Sequence, residues 1–389
     1  MDDRGGWELP DELKALQKVA RDFVQREIRP VEETLDFDAY LLPQDALDAA
    51  RKKARQAGIW CVNSPAKYGG SEMSMLAQVV VAEEASQCRM GAYVPAGGAF
   101  GWDPPNVIYR GTEEQIQKYA VPTIEKGGKT FVAISEPSGG ADPARSIRTT
   151  AVRDGDEFVL NGTKTWISAA NYSDWGVVFA RTSEGRHGVS CFIVPADAPG
   201  LTMTPIPVIR SWYPCELSFQ DCRIPAENLI GEEGRGFELA QEWLNHGRVP
   251  YAAATLGIAQ AALRMAIDYS KDRQVFGGPL SEKQAIQWMI ADSEIEIRAA
   301  RGLCWQAAWK ADRGEDYKFE ASACKVYATE TAGRVVDRCV QIFGGMGVAK
   351  EFPLERWYRE MRIKRIGEGP SEVHRMVVAR QLLSGKTKA

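Results

Sequence analysis

RDGDEFVLNGTKTWIS, residues 153–168, decides what kind of chain this is. Asp154-Gly155 and Asn161-Gly162 are both hairpin signals, because Asn, Asp and Gly tolerate the positive φ of tight hairpin turns, and between them EFVL (157–160) has strand composition. The β-rich runs WGVVFA (175–180) and VSCFIVP (189–195) follow, with turn residues between them. The change of character begins at Phe131, and the spacing predicts an antiparallel β-domain over residues 131–240.

On the N-terminal side the period is helical. Leu13, Leu16, Val19, Ala20, Phe23, Val24 and Ile28 recur at three- and four-residue steps, and Arg29-Pro30 is expected to stop that helix. The pattern returns in DALDAARKKARQAG (45–58) and MLAQVVVAEEASQ (75–87). TEEQIQKYAVPTI (112–124) adds a capped helix with acids in its first turn. Residues 1–130 therefore read as a helical domain. After GEEGRGFELA (231–240), long helical segments fill residues 241–389: 251–273, 283–311 and 320–345. They have the lengths of a four-helix bundle. Helices, then antiparallel strands, then helices make a segregated α+β pattern. GEEGRG (231–236) and GGMG (344–347) are weak as dinucleotide fingerprints, since neither opens the first helix of a βαβ unit with an acid about twenty residues on.

Composition narrows the function. Lys and Arg number 48 and Asp and Glu 52, a net charge of −4, which offers nucleic acid no general attraction. No apolar run approaches the roughly 18 residues that span a bilayer. The acidic start MDDRGGWELP is unlike a signal peptide, so a cytoplasmic protein is expected. Eight scattered cysteines, without a CxxC pair, read as reduced core residues. His187, His246 and His374 are too few and too dispersed for a His-rich metal centre or a Ser-His-Asp triad, so no metal is expected.

IGEGPSEV (366–373) sets an acid between two glycines just before a helix start, behind the cation-rich approach MRIKRI (361–366). Glu372 is ordinary at a helix N-terminus, where the dipole favours negative charge. Glu368 lies outside that helix and reads equally as a surface turn or a site. Together with AISEPSGGAD (133–142), KTWIS (164–168), DRQVFGGPLSEKQ (272–284) and QIFGGMG (341–347), this stretch resembles the acyl-CoA dehydrogenase family of FAD flavoproteins. The resemblance covers nearly the whole chain, including PAKYGG (65–70) and RGTEEQIQKY (110–119).

The resemblance implies α,β-dehydrogenation of an acyl-CoA thioester to the trans-2-enoyl-CoA, with a hydride passing from Cβ to flavin N5 and a proton leaving Cα. A thioester α-proton is weakly acidic, so the reaction needs a positioned base and donors for the enolate oxygen. Glu368 sits at the family's base position, and burial by substrate is expected to raise its pKa through desolvation, with the helix N-terminus just ahead pulling the other way. Gly369 and Arg248 match substrate contacts. Some relatives carry the base at the position of Gly247 in LNHGRVP (244–250), where glycine cannot serve; without the family, Gly247 reads as a helix-entry residue.

For FAD, Ile134 and Ser135 resemble the loop at the flavin pyrimidine edge, Trp166 the residue beside the dimethylbenzene edge and Ser168 the hydroxyl near N5. Trp166 alone would read as a half-buried strand aromatic. Arg273, Phe276 and Gln284 match a pattern that reaches the neighbouring subunit's FAD. Gln341, Gly344 and Gly345 resemble a second such contact, although a helix C-cap also explains the glycines. The implied assembly is a homotetramer, and the implied electron acceptor an electron-transfer flavoprotein.

The chain departs from the pattern in several places. Ala141 stands where a serine is frequent, Pro370 follows the base in place of Thr or Ser, and Glu372 occupies a frequent Gln position near the FAD. SWYPCEL (211–217) replaces a small, Gly-rich turn. Trp60, Trp102, Trp212 and Trp243 are expected mostly in the core. Rival readings on the same fold are an acyl-CoA oxidase, a nitroalkane oxidase-like enzyme, for which Asp would be expected at the base, and a class D flavin monooxygenase. A scaffold that has lost flavin is the non-enzymatic reading. Acyl group and pathway, whether fatty-acid or other organic-acid catabolism, are not legible.

Overall fold

The computed structural model describes residues 8–185, 188–210 and 212–385. The start through Trp7, His187 and the first residue of SWYPCEL lie outside these described residues.

The helical periodicity of the N-terminal region is realised as α1 (Asp11–Phe23), α2 (Arg29–Glu32), α3 (Gln44–Gln56) and α4 (Met75–Ala85). The expected stop at Arg29-Pro30 does not occur. A π-turn over Val24–Ile28 hands the chain directly to α2, where Pro30 occupies the first turn with its φ already helical. Ser74 caps α4 by accepting from the Ala77 amide, and α4 is buried almost all round. Thr112 and Gln115 close a reciprocal capping box at α5 (Glu113–Gln115), a π-turn follows, and α6 (Val121–Lys126) ends on left-handed Gly127.

The β-region has strands β1 (Lys129–Ala133), β2 (Thr150–Asp154), β3 (Glu157–Ile167), β4 (Ser173–Arg181), β5 (Val189–Pro195), β6 (Leu201–Pro205), β7 (Cys215–Pro225) and β8 (Leu229–Ile230), with α7 (Pro143–Ser146) after β1. The strand order is β6-β7-β3-β2-β4-β5-β8, with β1 paired to β4. Pairing is antiparallel except for β1–β4 and a single β2–β4 bridge, which are parallel.

Asp154-Gly155 forms the β2–β3 hairpin, with Asp154 opposite Glu157. Asn161-Gly162 does not turn the chain. It is a bulge inside β3, where the register to β7 shifts between Leu160 and Gly162. Gly162 has φ +144, and a Cβ there would lie 2.7 Å from the Thr149 Cα, so glycine serves close approach instead of a hairpin. The sheet core is built from Phe131, Phe158, Val178, Phe192 and Leu217, with the Phe158 and Phe192 rings 4.8 Å apart.

The long segments become α8 (Gly236–Asp272), α9 (Gln284–Asp312) and α10 (Lys318–Phe343), followed by α11 (Leu354–Lys364) and α12 (Ser371–Leu383). A short hairpin of β9 (Gln274–Val275) and β10 (Gly278–Pro279) joins α8 to α9. Because α8 starts at Gly236, Gly247 is inside a helix and is not its entry residue.

The chain divides into two units. One comprises Met1–Ile59, Met73–Ala99 and Gly247–Ala389; the other comprises Trp60–Glu72 and Phe100–His246. The first unit packs Ile258, Leu263, Ile297, Val335, Phe343 and Trp357 into one core and Val79, Leu256, Cys304 and Cys324 into another. All eight cysteines are free and buried. Trp60 and Trp212 are buried, while Trp102 and Trp243 are half-buried. Among the described residues no helix is long and apolar enough to cross a membrane, and no cluster of His, Cys, Asp and Glu could hold a metal.

Gly162→Ala should lower stability by about 1–3 kcal/mol through crowding in the bulge, measured by urea unfolding. Gly155→Ala meets open space and should cost less; equal losses would rule crowding out as the cause.

Candidate functional site

In the β-containing unit, β1 runs out into Ile134–Ser135–Glu136, and a buried ion pair fixes the shape of that loop. The Glu136 carboxylate accepts from the amides of Arg148 at 2.8 Å and Thr149 at 3.0 Å, and from Lys164 Nζ at 2.8 Å. Lys164 Nζ also donates to the Ile134 carbonyl at 3.1 Å, and the Thr165 amide donates to the Ser135 carbonyl at 2.9 Å. Both charged side chains are buried, Lys164 completely. Burial pushes the Lys164 ammonium down to about 8 against the pull of Glu136. Burial also works to raise the Glu136 carboxyl, but Lys164 and the Thr149 hydrogen bonds outweigh it and hold it below its ordinary value. The pair is ionised at neutral pH.

Two residues on from Lys164, Trp166 has φ +63 and its side chain is 59% exposed. A large flat ring on left-handed backbone, presented to solvent, is not the half-buried strand aromatic of the bland alternative. Ser168 is exposed and accepts from Arg210 Nη2 at 3.2 Å. These features fit a flavin: a platform for its ring edge at Trp166, a hydroxyl at Ser168 and a pinned loop at Ile134–Ser135. Ala141 is exposed beyond that loop and brings no hydroxyl. The unusual SWYPCEL turn has a packing role. Trp212 lies edge-on to Trp102 at 5.9 Å, and the Lys129 ammonium stands 5.0–5.5 Å from the rings of Tyr172, Trp212 and Trp102.

In the helical unit, the turn between α11 and α12 carries Glu368. Its backbone is left-handed at φ +57, and Gly369 follows at φ +94. The side chain is half-buried, yet its Oε2 is shut off from solvent and has no hydrogen-bond partner. Burial raises the carboxyl above its ordinary value, opposed by the positive charges of Arg248, Lys364 and Lys325. Arg248 Nε donates to the Glu368 carbonyl at 3.2 Å, and His374 Nε2 lies 3.0 Å from the same oxygen. Lys325 Nζ donates to the carbonyls of Gly369 at 2.7 Å and Arg365 at 3.3 Å. Lys364 Nζ donates to the Ala92 carbonyl at 3.2 Å and sits 3.9 Å from the ring centres of both Tyr93 and Tyr251.

Both glycines beside Glu368 are needed by the chain's own side chains. A Cβ at 367 would meet the Tyr251 hydroxyl at 2.7 Å, and one at 369 would meet His374 Nε2 at 3.0 Å. At Gly247 a Cβ would meet nothing within 4 Å.

The structure thus brings Arg248, Glu368 and Gly369 together. Glu372 is exposed in the first turn of α12. Arg273 and Gln284 are exposed at the two ends of the β9–β10 segment, and Phe276 at its tip is 99% exposed with φ +47. Gln341, Gly344 and Gly345 are exposed where α10 ends, with Gly344 in a positive-φ cap. Lys164, Glu136, Lys325, Lys364, His374 and Tyr251 were not anticipated. Lys364 belongs to the cation-rich run already noted. A lone lysine in the small-residue stretch EASACKVYA offered the one hint of Lys325.

Comparison with known proteins bears on the whole chain. The families described as acyl-CoA dehydrogenase N-terminal, middle and C-terminal domains match residues 10–126, 132–222 and 234–383. The mitochondrial short-chain specific acyl-CoA dehydrogenase of Bos taurus is 38% identical over 383 residues, covering 97% of this chain and 91% of that one. Butyryl-CoA dehydrogenase from Megasphaera elsdenii superposes with TM-score 0.86 at 34% identity, covering 97% and 99%. A chain solved in work on the electron transferring flavoprotein of Acidaminococcus fermentans superposes with TM-score 0.87 at 36% identity, covering 97% and 99%.

Lys164→Met should strand the buried Glu136 carboxylate, costing about 3–5 kcal/mol in urea unfolding, and should weaken FAD retention on dilution. Glu136→Gln combined with Lys164→Met should recover much of that stability; failure to recover would mean that the pair's charge is not what orders the loop.

Proposed function

The chain belongs to the acyl-CoA dehydrogenase family, and from that premise we propose that it oxidises a short-chain acyl-CoA thioester to the trans-2-enoyl-CoA with Glu368 as the base. It is an FAD-dependent oxidoreductase of the acyl-CoA dehydrogenase type. The observation that carries the assignment of Glu368 is its Oε2, shut off from water, without a partner and surrounded by Arg248, Lys325 and Lys364. A carboxylate with a free, desolvated oxygen is reactive toward a carbon acid, and the cations keep enough of it ionised to act.

In this reading Glu368 Oε2 takes the Cα proton. Bound FAD supplies a two-electron acceptor for the Cβ hydrogen, which leaves as hydride. The Cα–Cβ double bond forms from the electron pair released at Cα. The main-chain N–H of Glu368 is the donor for the thioester oxygen, an oxyanion-type role that needs the fixed left-handed turn described above. Arg248 and Gly369 shape the substrate side of that turn. Ile134, Ser135, Trp166 and Ser168 hold the flavin ring. A short acyl chain is supported by the short-chain and butyryl-CoA relatives, and an electron-transfer flavoprotein as acceptor by the chain from A. fermentans.

A homo-oligomer, the family's tetramer, is supported by apolar side chains left in water. Phe276 is 99% exposed, and Trp288 and Ile295, seven residues apart on α9, are 61% and 64% exposed. Arg273, Phe276, Gln284, Gln341, Gly344 and Gly345 are assigned to a neighbouring subunit's FAD.

Anaerobic addition of butyryl-CoA to the yellow holoenzyme should bleach the flavin bands, with hexanoyl, branched and aromatic thioesters slower. A yellow protein that no thioester bleaches would reject the assignment. Glu368→Gln should keep FAD and bind thioester while losing roughly 10²–10⁴-fold in the rate of bleaching. Because burial raises the base, the wild-type rate should climb with pH through a value above the ordinary carboxylate range. Trp288→Glu with Ile295→Glu should shift the sedimenting species to a smaller one; an unchanged oligomer would place the interface elsewhere.

A further inference from the structure

Catalytic groups need a fixed position, and across Glu368 the backbone closes with the Ser371 N–H donating to the Arg365 carbonyl at 3.1 Å, which leaves the carbonyls of Glu368 and Gly369 to other donors. Two consecutive residues, Glu368 and Gly369, have positive φ, a conformation that a non-glycine residue keeps only when its surroundings impose it. Little apolar packing is available for that purpose. Ile366 is 57% exposed, and residues 367–370 are half-buried. Beyond that backbone bond, what grips the turn is a set of side-chain donors aimed at its carbonyls, and two of the three side chains involved, Lys325 and His374, have no exposed surface at all.

We propose that Lys325 on α10 and His374 on α12 are positioning residues for the base, clamping the main-chain carbonyls on either side of Glu368 so that its carboxylate stays in one place. The inference rests on the assignment of Glu368 as base.

Lys325 spans the turn, taking the Arg365 carbonyl before it and the Gly369 carbonyl after it. His374 takes the carbonyl of Glu368 itself, shared with Arg248. A carbonyl can only accept, so Nε2 carries the ring proton, and burial keeps the imidazole neutral with a pKa lowered to about 4. His374 Nδ1 is then a buried acceptor without a partner. What this side chain offers the turn is its one N–H, which a glutamine amide can also supply.

The two clamps differ in charge. The groups facing Glu368 are Arg248 from α8, Lys325 from α10, Lys364 from α11 and neutral His374 from α12. Lys325, pushed down to about 8 by burial, is pulled up by Glu368 and more weakly by Glu330 and Glu372, and pushed further down by Arg248. It is protonated at neutral pH and stabilises the Glu368 carboxylate. Removing it should raise the carboxyl further, so that the base becomes ionised at a higher pH. Removing His374 takes away no charge.

The test uses holoenzyme variants Lys325→Met, His374→Leu and His374→Gln, with FAD content as the folding control. Amide hydrogen exchange of peptides covering 365–373 and the pH profile of flavin bleaching by saturating butyryl-CoA are the readouts. Lys325→Met and His374→Leu should speed exchange in that segment and slow bleaching roughly 10- to 100-fold, with His374→Gln within about threefold of wild type. The acid limb of the rate profile should move to higher pH in Lys325→Met and stay in place in His374→Leu. Wild-type exchange and rates in both Lys325→Met and His374→Leu would overturn the clamp, as would an unmoved acid limb in Lys325→Met for the charge role. Should Lys325→Met fail to retain FAD, the His374→Leu and His374→Gln pair still decides the clamp. Faster exchange in an enzyme that no thioester bleaches would keep the clamp and reject the function assigned to it.

Discussion

A carboxylate withheld from water is the constraint on which the rest of the helical unit depends. Desolvation works to favour the protonated form of Glu368. Three cations from three helices offset that burial: Arg248 from α8, Lys325 from α10 and Lys364 from α11. None of the three is close to Glu368 along the chain except Lys364, so this charge environment exists only once α8, α10 and α11 have packed. The apolar core of Ile258, Val335 and Trp357, drawn from those same helices, therefore assembles the cations around Glu368. Stability of the packing and ionisation of Glu368 are one problem.

The β-containing unit solves a related problem in the same way. Its Ile134–Ser135–Glu136 loop is irregular, and irregular backbone carries carbonyls that no ladder satisfies. A completely buried lysine, Lys164, spans the Ile134 carbonyl and the Glu136 carboxylate. In the helical unit another completely buried lysine, Lys325, spans the Arg365 and Gly369 carbonyls. In both places an ammonium with three donors and a flexible stem, brought from elsewhere in the chain, ties together oxygens of one short turn, which a guanidinium's fixed fork would do less well. Burial lowers both ammonium groups to about 8, still charged at neutral pH.

The segregated helix–strand–helix order was legible because it rests on periodicity, which is local. Glu368 and its glycines were legible as a motif, and the cation-rich approach MRIKRI already contained Lys364. Features set by tertiary contact were not. Asn161-Gly162 has the composition of a hairpin, but β7 pairs across it and Thr149 crowds it, so it becomes a bulge. Pro30 signals a stop, but a π-turn places it where a proline is tolerated. His374 looks like any polar residue in a first helical turn; only the fold shows its ring buried against the Glu368 carbonyl. Lys325 sits in a helix whose sequence gives no reason to bury a charge, because the oxygens that require it arrive forty residues later.

The glycine at 367 ties an aromatic pair to this framework. Its missing side chain leaves room for the Tyr251 hydroxyl, 2.7 Å from where a Cβ would stand. Tyr251 in turn shares the Lys364 ammonium with Tyr93, each ring centre 3.9 Å away. Two rings held by one buried cation cannot swing aside independently, since either movement gives up a desolvated cation–π contact. The surroundings of Glu368 are consequently stiff. The same lysine that offsets the burial of Glu368 thus braces two aromatic rings beside it, and a change made to either ring would also move the ionisation of Glu368.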